Sequence, residues 1–231
     1  MNVNVAIETE NLVKDYPAGK EFFRALDNIN LSIATGEFCG IVGPSGSGKT
    51  TLINIIGALD NPTEGNAVVM GKSVNTLNHK EAAKLRTESI GFIFQTYNLF
   101  PIYSVFENVE FPLLLLKKNE KERKDLVMQA LDWVGLTAKV NSRPNQLSGG
   151  ECQRVAVARA MVKVPKIVLA DEPTANLDTA NSHNILQTMK NLNDELKTTF
   201  IFATHDEKVI GYLKRKIVLN DGKIVNDLRL N

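Results

Sequence analysis

Apolar and polar residues alternate along much of the first 35 residues, a pattern that is typical of strands with one buried face. The apolar positions are Val3, Val5 and Ile7 in the first stretch and Ile29, Leu31 and Ile33 in the second. A turn-forming segment, Pro17-Ala18-Gly19, lies between them. The N-terminal region is therefore predicted to form an antiparallel β subdomain built on a hairpin.

Short apolar runs alternate with helical patterns over most of the remaining chain. Strands are predicted at residues 38–42, 67–71, 90–94, 167–170, 199–203, 216–219 and 222–225. Helices are predicted to begin near residue 49 and to cover residues 79–86, 179–196 and about 207–213. Because strands and helices alternate, the sequence predicts an α/β fold with a mostly parallel sheet whose faces are both covered.

Residues 101–163 depart from this alternation, because their pattern is helical and no strand is predicted before residue 167. This block is predicted to be an inserted helical subdomain. No linker, repeat or low-complexity segment separates it from its surroundings. The prediction is one domain over residues 1–231, with a core of about residues 1–95 and 165–231 and a helical part of about residues 96–164.

The sequence GPSGSGKT at residues 43–50 is a complete phosphate-binding motif. Its glycines let main-chain N–H groups converge on phosphate oxygens, Lys49 can reach the β and γ phosphates, and Thr50 can offer a hydroxyl to Mg²⁺. The alternative is a flexible turn rich in glycine and serine. A predicted strand before the motif and a predicted helix after it favour the phosphate loop, whose helix adds a positive dipole end.

Two carboxylates, Asp171 and Glu172, follow the predicted strand at residues 167–170. Ligands of open α/β sheets bind at the carboxyl ends of strands, so Asp171 is a candidate for holding Mg²⁺. Glu172 is predicted to face the other way and to act as general base toward an attacking water. The alternative is a solvated acidic pair, which the phosphate loop in the same chain disfavours.

The segment Leu147-Ser148-Gly149-Gly150-Glu151 precedes a predicted helix at residues 152–161 and offers a hydroxyl and unobstructed N–H groups to an anion. An ordinary helix cap with flexible glycines is the alternative, and it is favoured for the segment taken alone. Gln95 and His205 are further polar residues at predicted strand ends. Either residue taken alone is weak evidence of a functional site.

Bulk composition excludes some classes of partner. With 27 basic and 26 acidic residues, the chain has a net charge of +1, so nucleic acid is not an expected partner. The strongest apolar stretch, residues 111–116, is far shorter than the roughly 20 residues of a membrane span. No secretory signal is recognisable in the first ten residues, so a cytoplasmic location is expected.

Taken together, these motifs resemble the ATPase subunit of ATP-binding cassette transporters. The phosphate loop, Gln95, residues 147–151, Asp171-Glu172, residues 175–178 and His205 occur in that family's order, and the resemblance covers the whole chain. It implies a P-loop NTPase core of the RecA-like type and hydrolysis of ATP with Mg²⁺. Small departures are Cys152, where Gln or Arg is usual, and Ser104, where Thr is usual.

The resemblance also implies residue roles. Tyr16 would stack on adenine, Gln95 would sense Mg²⁺ and the attacking water, His205 would contact the γ-phosphate, and Asp178 would belong to a loop that communicates across a dimer. The implied catalytic residues are Glu172, His205 and Gln95, and the implied Mg²⁺ residues are Thr50, Gln95 and Asp171. The implied nucleotide-binding residues are Tyr16, Gly43, Pro44, Ser45, Gly46, Ser47, Gly48, Lys49, Thr50 and Thr51, with Ser148, Gly149, Gly150 and Glu151 supplied by a second copy.

In this family each ATP lies between the phosphate loop of one subunit and a signature segment of another, which corresponds here to residues 147–151. The resemblance therefore implies a head-to-tail homodimer in the ATP state. It further implies an integral-membrane permease, possibly with a periplasmic adaptor, that holds the ATPase at the cytoplasmic face of the membrane. Residues 90–101, 107–113 and 169–178 resemble the lipoprotein-release and macrolide-efflux branch. The alternative is the ATPase of an importer of a small polar solute, and a DNA-repair or translation ATPase is disfavoured because no coiled-coil insertion or second cassette is present.

Overall fold

The computed structural model describes residues 4–230, which contain ten strands and seven α-helices. The strands are β1 (Val5–Ala18), β2 (Glu21–Ala34), β3 (Phe38–Val42), β4 (Glu64–Val69), β5 (Lys72–Ser73), β6 (Ile90–Phe94), β7 (Ile167–Asp171), β8 (Thr199–Thr204), β9 (Arg215–Asn220) and β10 (Lys223–Arg229). The helices are α1 (Lys49–Ile56), α2 (His79–Ser89), α3 (Val105–Leu115), α4 (Glu120–Trp133), α5 (Gly149–Met161), α6 (Thr179–Leu196) and α7 (Glu207–Ile210).

The N-terminal region forms a four-stranded antiparallel sheet in the order β2-β1-β4-β5. Ile29, Leu31 and Ile33 are buried, as their spacing predicts for one face of a strand. The predicted antiparallel subdomain is therefore confirmed. The predicted contribution of Val3 lies outside the described residues.

The turn of the first hairpin lies later than the sequence predicts. Pro17 and Ala18 belong to β1, and the turn is formed by Gly19 and Lys20, with Gly19 at φ +66°. β1 pairs with β4 only as far as Val13, so Pro17 has a ladder partner on one side alone. A proline is tolerated there because its missing N–H breaks no second ladder.

The second sheet has six strands in the order β10-β9-β3-β8-β7-β6. Every pair in it is parallel except the terminal β9–β10 pair. The predicted mostly parallel sheet is confirmed. Its carboxyl edge gathers the ends of β3, β7 and β8, each of which precedes a candidate site residue.

Alternate residues of the central strands enter two separate cores. One core contains Phe38 of β3, Phe200 and Phe202 of β8, and side chains of α3, α4, α5 and α6. The ring centroids of Phe38 and Phe202 are 4.8 Å apart. Cys39 and Ile41 face the other way, toward α1 and the antiparallel sheet. Burial on both faces explains why the parallel strands are continuous apolar runs.

Helices α3, α4 and α5 lie between β6 and β7 and pack on one another, which confirms the predicted helical insertion. The signature segment lies at the N-terminus of α5, since that helix begins at Gly149. Within residues 4–230, no helix combines the length and the apolar character that crossing a membrane demands.

Candidate functional site

The phosphate loop connects β3 to α1, and its main chain runs where side chains do not fit. Gly46 and Gly48 have φ of +80° and +102°, conformations that glycine adopts without strain. A Cβ added at Gly43 would lie 2.0 Å from the carbonyl oxygen of Leu219 in β9. The glycines are therefore needed for the path of this loop.

Lys49, the first residue of α1, lies largely buried inside the curve of the loop. Its ammonium group donates hydrogen bonds to the carbonyl oxygens of Gly43 and Pro44, both at 2.8 Å. The hydroxyl of Ser47 is buried and lacks a hydrogen-bond partner among the described residues. Buried hydroxyls are normally paired, so a ligand oxygen within the loop would satisfy this one. The loop therefore presents a cation and a free donor, which suits a phosphate.

Thr50 and Asp171 meet at the carboxyl edge of the parallel sheet. The Thr50 hydroxyl lies 3.1 Å from Oδ2 and 3.3 Å from Oδ1 of Asp171. Burial raises the pKa of the Asp171 carboxyl, and the nearby Glu172 acts in the same direction, against the hydrogen bond from Thr50 and the charge of Lys49. A cation bound here would offset that burial cost.

This pair of residues suits Mg²⁺. A hydroxyl and a carboxylate are hard oxygen donors, and Mg²⁺ is usually held by one or two protein groups together with phosphates and waters. No cluster of three or more His, Cys, Asp or Glu residues able to hold a metal occurs in residues 4–230. The donor set therefore fits a magnesium ion that arrives with a nucleotide better than a metal held by the protein alone.

Glu172 has different partners from those of its neighbour Asp171. Its Oε1 lies 2.6 Å from Nδ1 of His205, and its Oε2 accepts a hydrogen bond from the Thr204 hydroxyl at 3.0 Å. The main chain at Glu172 has φ +45°, and its N–H donates to the carbonyl of Ala203. The side chain of Glu172 is 14% exposed, whereas that of His205 is 60% exposed. The carboxylate is thus held from β8, with an imidazole on its solvent side.

Sequence reasoning missed the residues that hold Glu172 in place. The Thr204 hydroxyl donates to Glu172 and accepts from the main-chain N–H of Asp206 at 3.0 Å. The Asp206 carboxylate in turn accepts a hydrogen bond from the Thr174 hydroxyl at 2.9 Å. Threonine is common in strands for reasons of packing alone, so the sequence around Thr204 carries no separate signal.

Tyr16 lies beside the phosphate loop in a concave region of about 230 Å³ that is lined by residues 46 and 48–51. Its hydroxyl donates to Asp60 at 2.8 Å, and the ammonium of Lys14 is 4.9 Å from the ring centroid. Burial raises the pKa of Tyr16, with the hydrogen bond to Asp60 acting in the same direction. Phe23, which pairs with Tyr16 across the hairpin and is 58% exposed, lines the same region and was also missed. The sequence carries no separate signal for Phe23, because its pairing with Tyr16 appears only in the folded hairpin.

The signature segment forms a helix cap in this chain. The Ser148 side chain accepts from the N–H of Glu151 at 3.2 Å, and the Glu151 carboxylate accepts from the N–H of Ser148 at 2.8 Å. That N–H is the largest cause of the lowered pKa of Glu151. Gly150 packs closely against Asn181, because a Cβ added at Gly150 would lie 2.6 Å from the side-chain oxygen of Asn181. Ser148 and Gly149 are nevertheless exposed.

The structure brings some of the predicted residues together and leaves others apart. Thr50 meets Asp171, and Glu172 meets His205. Gln95 follows β6, and its carbonyl accepts a hydrogen bond from the side chain of Asn176 at 2.9 Å. Within residues 4–230, no hydrogen bond joins the signature, residues 147–151, to the phosphate loop. In the part of the chain that the structure describes, the two segments are therefore not held together by hydrogen bonds.

Comparison with known sequences identifies the family. A model of the ABC transporter family matches residues 26–175. The ABC transporter ATP-binding protein MJ0796 of Methanocaldococcus jannaschii is 43% identical over 228 residues, with 97% of each chain covered. YknY of Bacillus subtilis, another ABC transporter ATP-binding protein, is 44% identical over 219 residues, with 95% of each chain covered. The macrolide export ATP-binding/permease protein MacB of Hyphomonas neptunium is 45% identical over 221 residues, which are 96% of this chain and 34% of MacB.

Solved structures agree with the sequence comparison. A dimeric structure of the ATP-binding cassette MJ0796 in a post-hydrolysis state, bound to ADP and Pi, matches with a TM-score of 0.90 at 42% identity, covering 97% of this chain and 99% of that one. A second dimeric structure of MJ0796 matches with a TM-score of 0.91 at 43% identity, with the same coverage. The chain therefore belongs to the ABC transporter family, and it is an ABC ATPase.

Proposed function

We propose that one protomer binds ATP between Tyr16 and the phosphate loop, with residues 43–51 around the phosphates. The observation that carries this assignment is the meeting of Thr50 with Asp171 and of Glu172 with His205 beside that loop. Thr50 and Asp171 would hold Mg²⁺, with Gln95 beside them. The metal would neutralise phosphate charge as the terminal bond breaks.

Glu172 is the residue best placed to take a proton from the attacking water. Its carboxylate is a hydrogen-bond acceptor held by Thr204 and His205 at the open edge of the sheet. Anchoring from Thr204 fixes the orientation of the carboxylate, and the exposed His205 can turn toward a γ-phosphate when nucleotide is present. The proposal assigns Glu172 as base and His205 and Gln95 as groups around the reacting phosphate.

Substitution of Glu172 and Lys49 separates turnover from binding. In Glu172→Gln, steady-state ATP hydrolysis is expected to fall by roughly 100-fold or more while ATP binding is kept, because only the base is removed. In Lys49→Ala, nucleotide binding itself is expected to weaken by roughly tenfold to a hundredfold. Phosphate release and equilibrium binding of a fluorescent ATP analogue measure the two effects. Normal turnover in Glu172→Gln would contradict its assignment as base.

The second half of the site is proposed to come from a second copy of the chain. Ser148 and Gly149 are exposed at the start of α5, and no hydrogen bond within residues 4–230 joins them to the phosphate loop. A helix N-terminus with a free glycine main chain is suited to an anion. The relative MJ0796 is dimeric in two solved structures, which supports pairing of two copies of this chain. ATP would then lie in each of two composite sites of a head-to-tail homodimer.

A permease is the proposed membrane partner, and its contact is expected near residues 95–106. The groove adjoining this segment, about 460 Å³ in volume, is walled by apolar side chains of β6, α3 and the segment between them. Exposed apolar residues occur at and near the groove, namely Leu59, Phe100, Ile102, Tyr103, Leu114 and Leu115. An exposed apolar patch of this kind is typical of a protein interface. The chain would thereby be held at the cytoplasmic face of the cell membrane.

The permease is proposed to be of the lipoprotein-release or macrolide-efflux type, in which the ATP cycle performs mechanical work across the membrane. The similarity to MacB, at 45% identity, supports this branch. The alternative is the ATPase of an importer of a small polar solute, since the catalytic motifs are shared throughout the family.

Site-specific photocrosslinking in native membranes tests both proposals. A photoreactive amino acid at Ile102, which is 74% exposed, is expected to capture an integral-membrane protein with four membrane helices and a long external domain. The same probe at Val225, which is 61% exposed on β10 at the far edge of the sheet, is the matched control. Capture from Val225 alone would contradict the proposed contact. Capture of a permease with many helices and a solute-binding protein would favour the importer.

A further inference from the structure

Gln153 lies in α5, the helix that begins with the signature, and its side chain is fully buried, at 0% exposure. The side-chain nitrogen Nε2 donates a hydrogen bond to the carbonyl oxygen of Pro173 at 2.7 Å. The other polar atom, Oε1, is buried and lacks a hydrogen-bond partner among the described residues. A buried amide that leaves one polar atom unpaired is less favourable than an apolar side chain of the same size. Packing alone therefore does not explain a glutamine here, and the bond to Pro173 is the interaction that favours it.

Pro173 directly follows Glu172, the proposed general base. The main chain at Glu172 is left-handed, with φ +45°, a conformation that a residue with a side chain keeps only where its surroundings hold it. Pro173 is buried and has no N–H, so its carbonyl is the only main-chain group through which it can be held by hydrogen bonding. Gln153 provides that bond. The glutamine thus supports the strained turn from the residue next to the base.

The other hydrogen bonds of this turn come from β8 and the residues after it. The N–H of Glu172 donates to Ala203, the carboxylate of Glu172 accepts from Thr204, and the Thr174 hydroxyl donates to Asp206. Among the hydrogen bonds of residues 4–230, the one from Gln153 alone joins α5 to residues 172–178. The turn that carries the base is therefore held from two sides, and α5 holds it through one side chain.

The same helix presents the signature to solvent. Gln153 lies four residues, or about one helical turn, after Gly149, the first residue of α5. Ser148 and Gly149 are exposed at that end of the helix. Because hydrogen bonds join successive turns of an α-helix, a shift of the signature would move the Gln153 amide with it. The carbonyl of Pro173 would then be the first main-chain group beside the base to follow that shift.

We propose that Gln153 is a positioning residue for ATP hydrolysis, which fixes the turn carrying Glu172 to the helix that begins with the signature. This inference rests on the proposed composite site and on Glu172 as its base, and it adds the residue that ties the base of a protomer to its own signature helix. Hydrolysis at each composite site would then depend on Gln153 of the subunit that supplies Glu172, and only weakly on Gln153 of the subunit that supplies the signature.

Mixed dimers with one working site test this dependence. A subunit carrying Ser148→Arg supplies the working phosphate loop and base, and is called the base subunit. A subunit carrying Lys49→Ala supplies the working signature, and is called the signature subunit. Gln153→Met, which keeps the size of the side chain but not its amide, is added to one subunit or to the other. We expect kcat to fall about tenfold when it is in the base subunit and less than about twofold when it is in the signature subunit.

The outcomes separate this inference from the proposed function. Reference dimers without Gln153→Met that hydrolyse no ATP would contradict the composite site, and the inference would fail with it. If the reference dimers are active, a loss that is equal in the two placements, or larger in the signature subunit, would overturn the role of Gln153 while leaving the composite site intact. An unchanged kcat in both placements would overturn it as well.

A second buried amide controls for loss of stability. Asn193 of α6 is 2% exposed and donates to the carbonyls of Gly36 at 2.9 Å and Thr198 at 2.7 Å, which lie just before β3 and β8, at the edge of the parallel sheet opposite the site. In homodimers, Gln153→Met and Asn193→Leu are both expected to unfold at lower denaturant concentration. Only Gln153→Met is expected to lower kcat, again about tenfold, with the Kd for ATP changed by less than about threefold.

Gln153→Asn provides a second test if the methionine variant does not fold. It keeps an amide but is one methylene shorter, so it does not reach Pro173, and the same fall in kcat is expected. A wild-type kcat in a folded Gln153 variant would contradict the inference. An equal fall in kcat in Asn193→Leu would do so too, because turnover would then follow stability and not the bond to Pro173.

Discussion

At the residue scale, the carboxyl edge of the sheet depends on a few side chains with fixed partners. Thr50, Asp171, Glu172 and His205 could all be identified from the sequence, because their residue types stand at strand ends beside a phosphate motif. Thr204 could not be identified, because its role depends on a hydrogen bond to Glu172 that only the folded sheet creates. Phe23 was missed for the same reason, since its neighbour Tyr16 is 7 positions away along the chain but directly across the hairpin.

Thr204 is predicted to position the general base. In Thr204→Val, kcat for ATP hydrolysis is expected to fall about tenfold, since one hydrogen bond to the Glu172 carboxylate is lost. Thr204→Ser keeps the hydroxyl and is expected to restore most of the rate. Equilibrium ATP binding is expected to change little in either variant, because the phosphate loop is untouched. A Kd that rises as much as kcat falls, or a serine variant as slow as the valine variant, would contradict a positioning role.

At the element scale, some helix ends could be predicted from the sequence and others could not. Helix α2 continues to Ser89, beyond the predicted residue 86, and α7 ends at Ile210, before the predicted residue 213. Helix α6 spans the predicted residues 179–196, because Asp178 caps its start and Lys197 ends it in a left-handed conformation. The first hairpin turn lies later along the chain than predicted, because Pro17 is tolerated within β1 where that strand has a single partner strand.

The signature, residues 147–151, was open to two interpretations, a helix cap and an anion site. The structure shows a capping box at Ser148. A cap and an anion site are compatible, since both use the same helix end.

Comparison of two capping boxes separates the structural role of Ser148 from its proposed role in ATP binding. Asn78 caps α2 with the same reciprocal geometry, far along the chain from the signature. Alanine at either position is expected to lower the free energy of unfolding by about 1 kcal/mol, measured by denaturant titration. ATP turnover is expected to fall in Ser148→Ala and to stay near wild type in Asn78→Ala. Equal turnover in the two variants would limit Ser148 to a helix cap.

At the scale of the whole molecule, the fold class followed from the sequence, whereas the groove did not. Alternating strands and helices predict a parallel sheet, since the pattern is local and repeats along the chain. The groove is built from residues as distant as Leu59, Phe111 and Lys163, so its shape and charge appear only after folding. The complete ATP site is also absent from the fold of one chain, since the signature is proposed to contact ATP that is held by another protomer.

Activity of mixed dimers tests the composite ATP site most directly. Subunits carrying Ser148→Arg keep an intact phosphate loop, and subunits carrying Lys49→Ala keep an intact signature. Each variant alone is expected to be nearly inactive, and an equal mixture is expected to regain about a quarter of the wild-type rate, because random pairing makes half the dimers mixed and each has one intact site. Differently tagged subunits, purified over both tags, verify the mixed dimers. Complete absence of ATP turnover in these dimers would contradict a site shared between two copies of the chain.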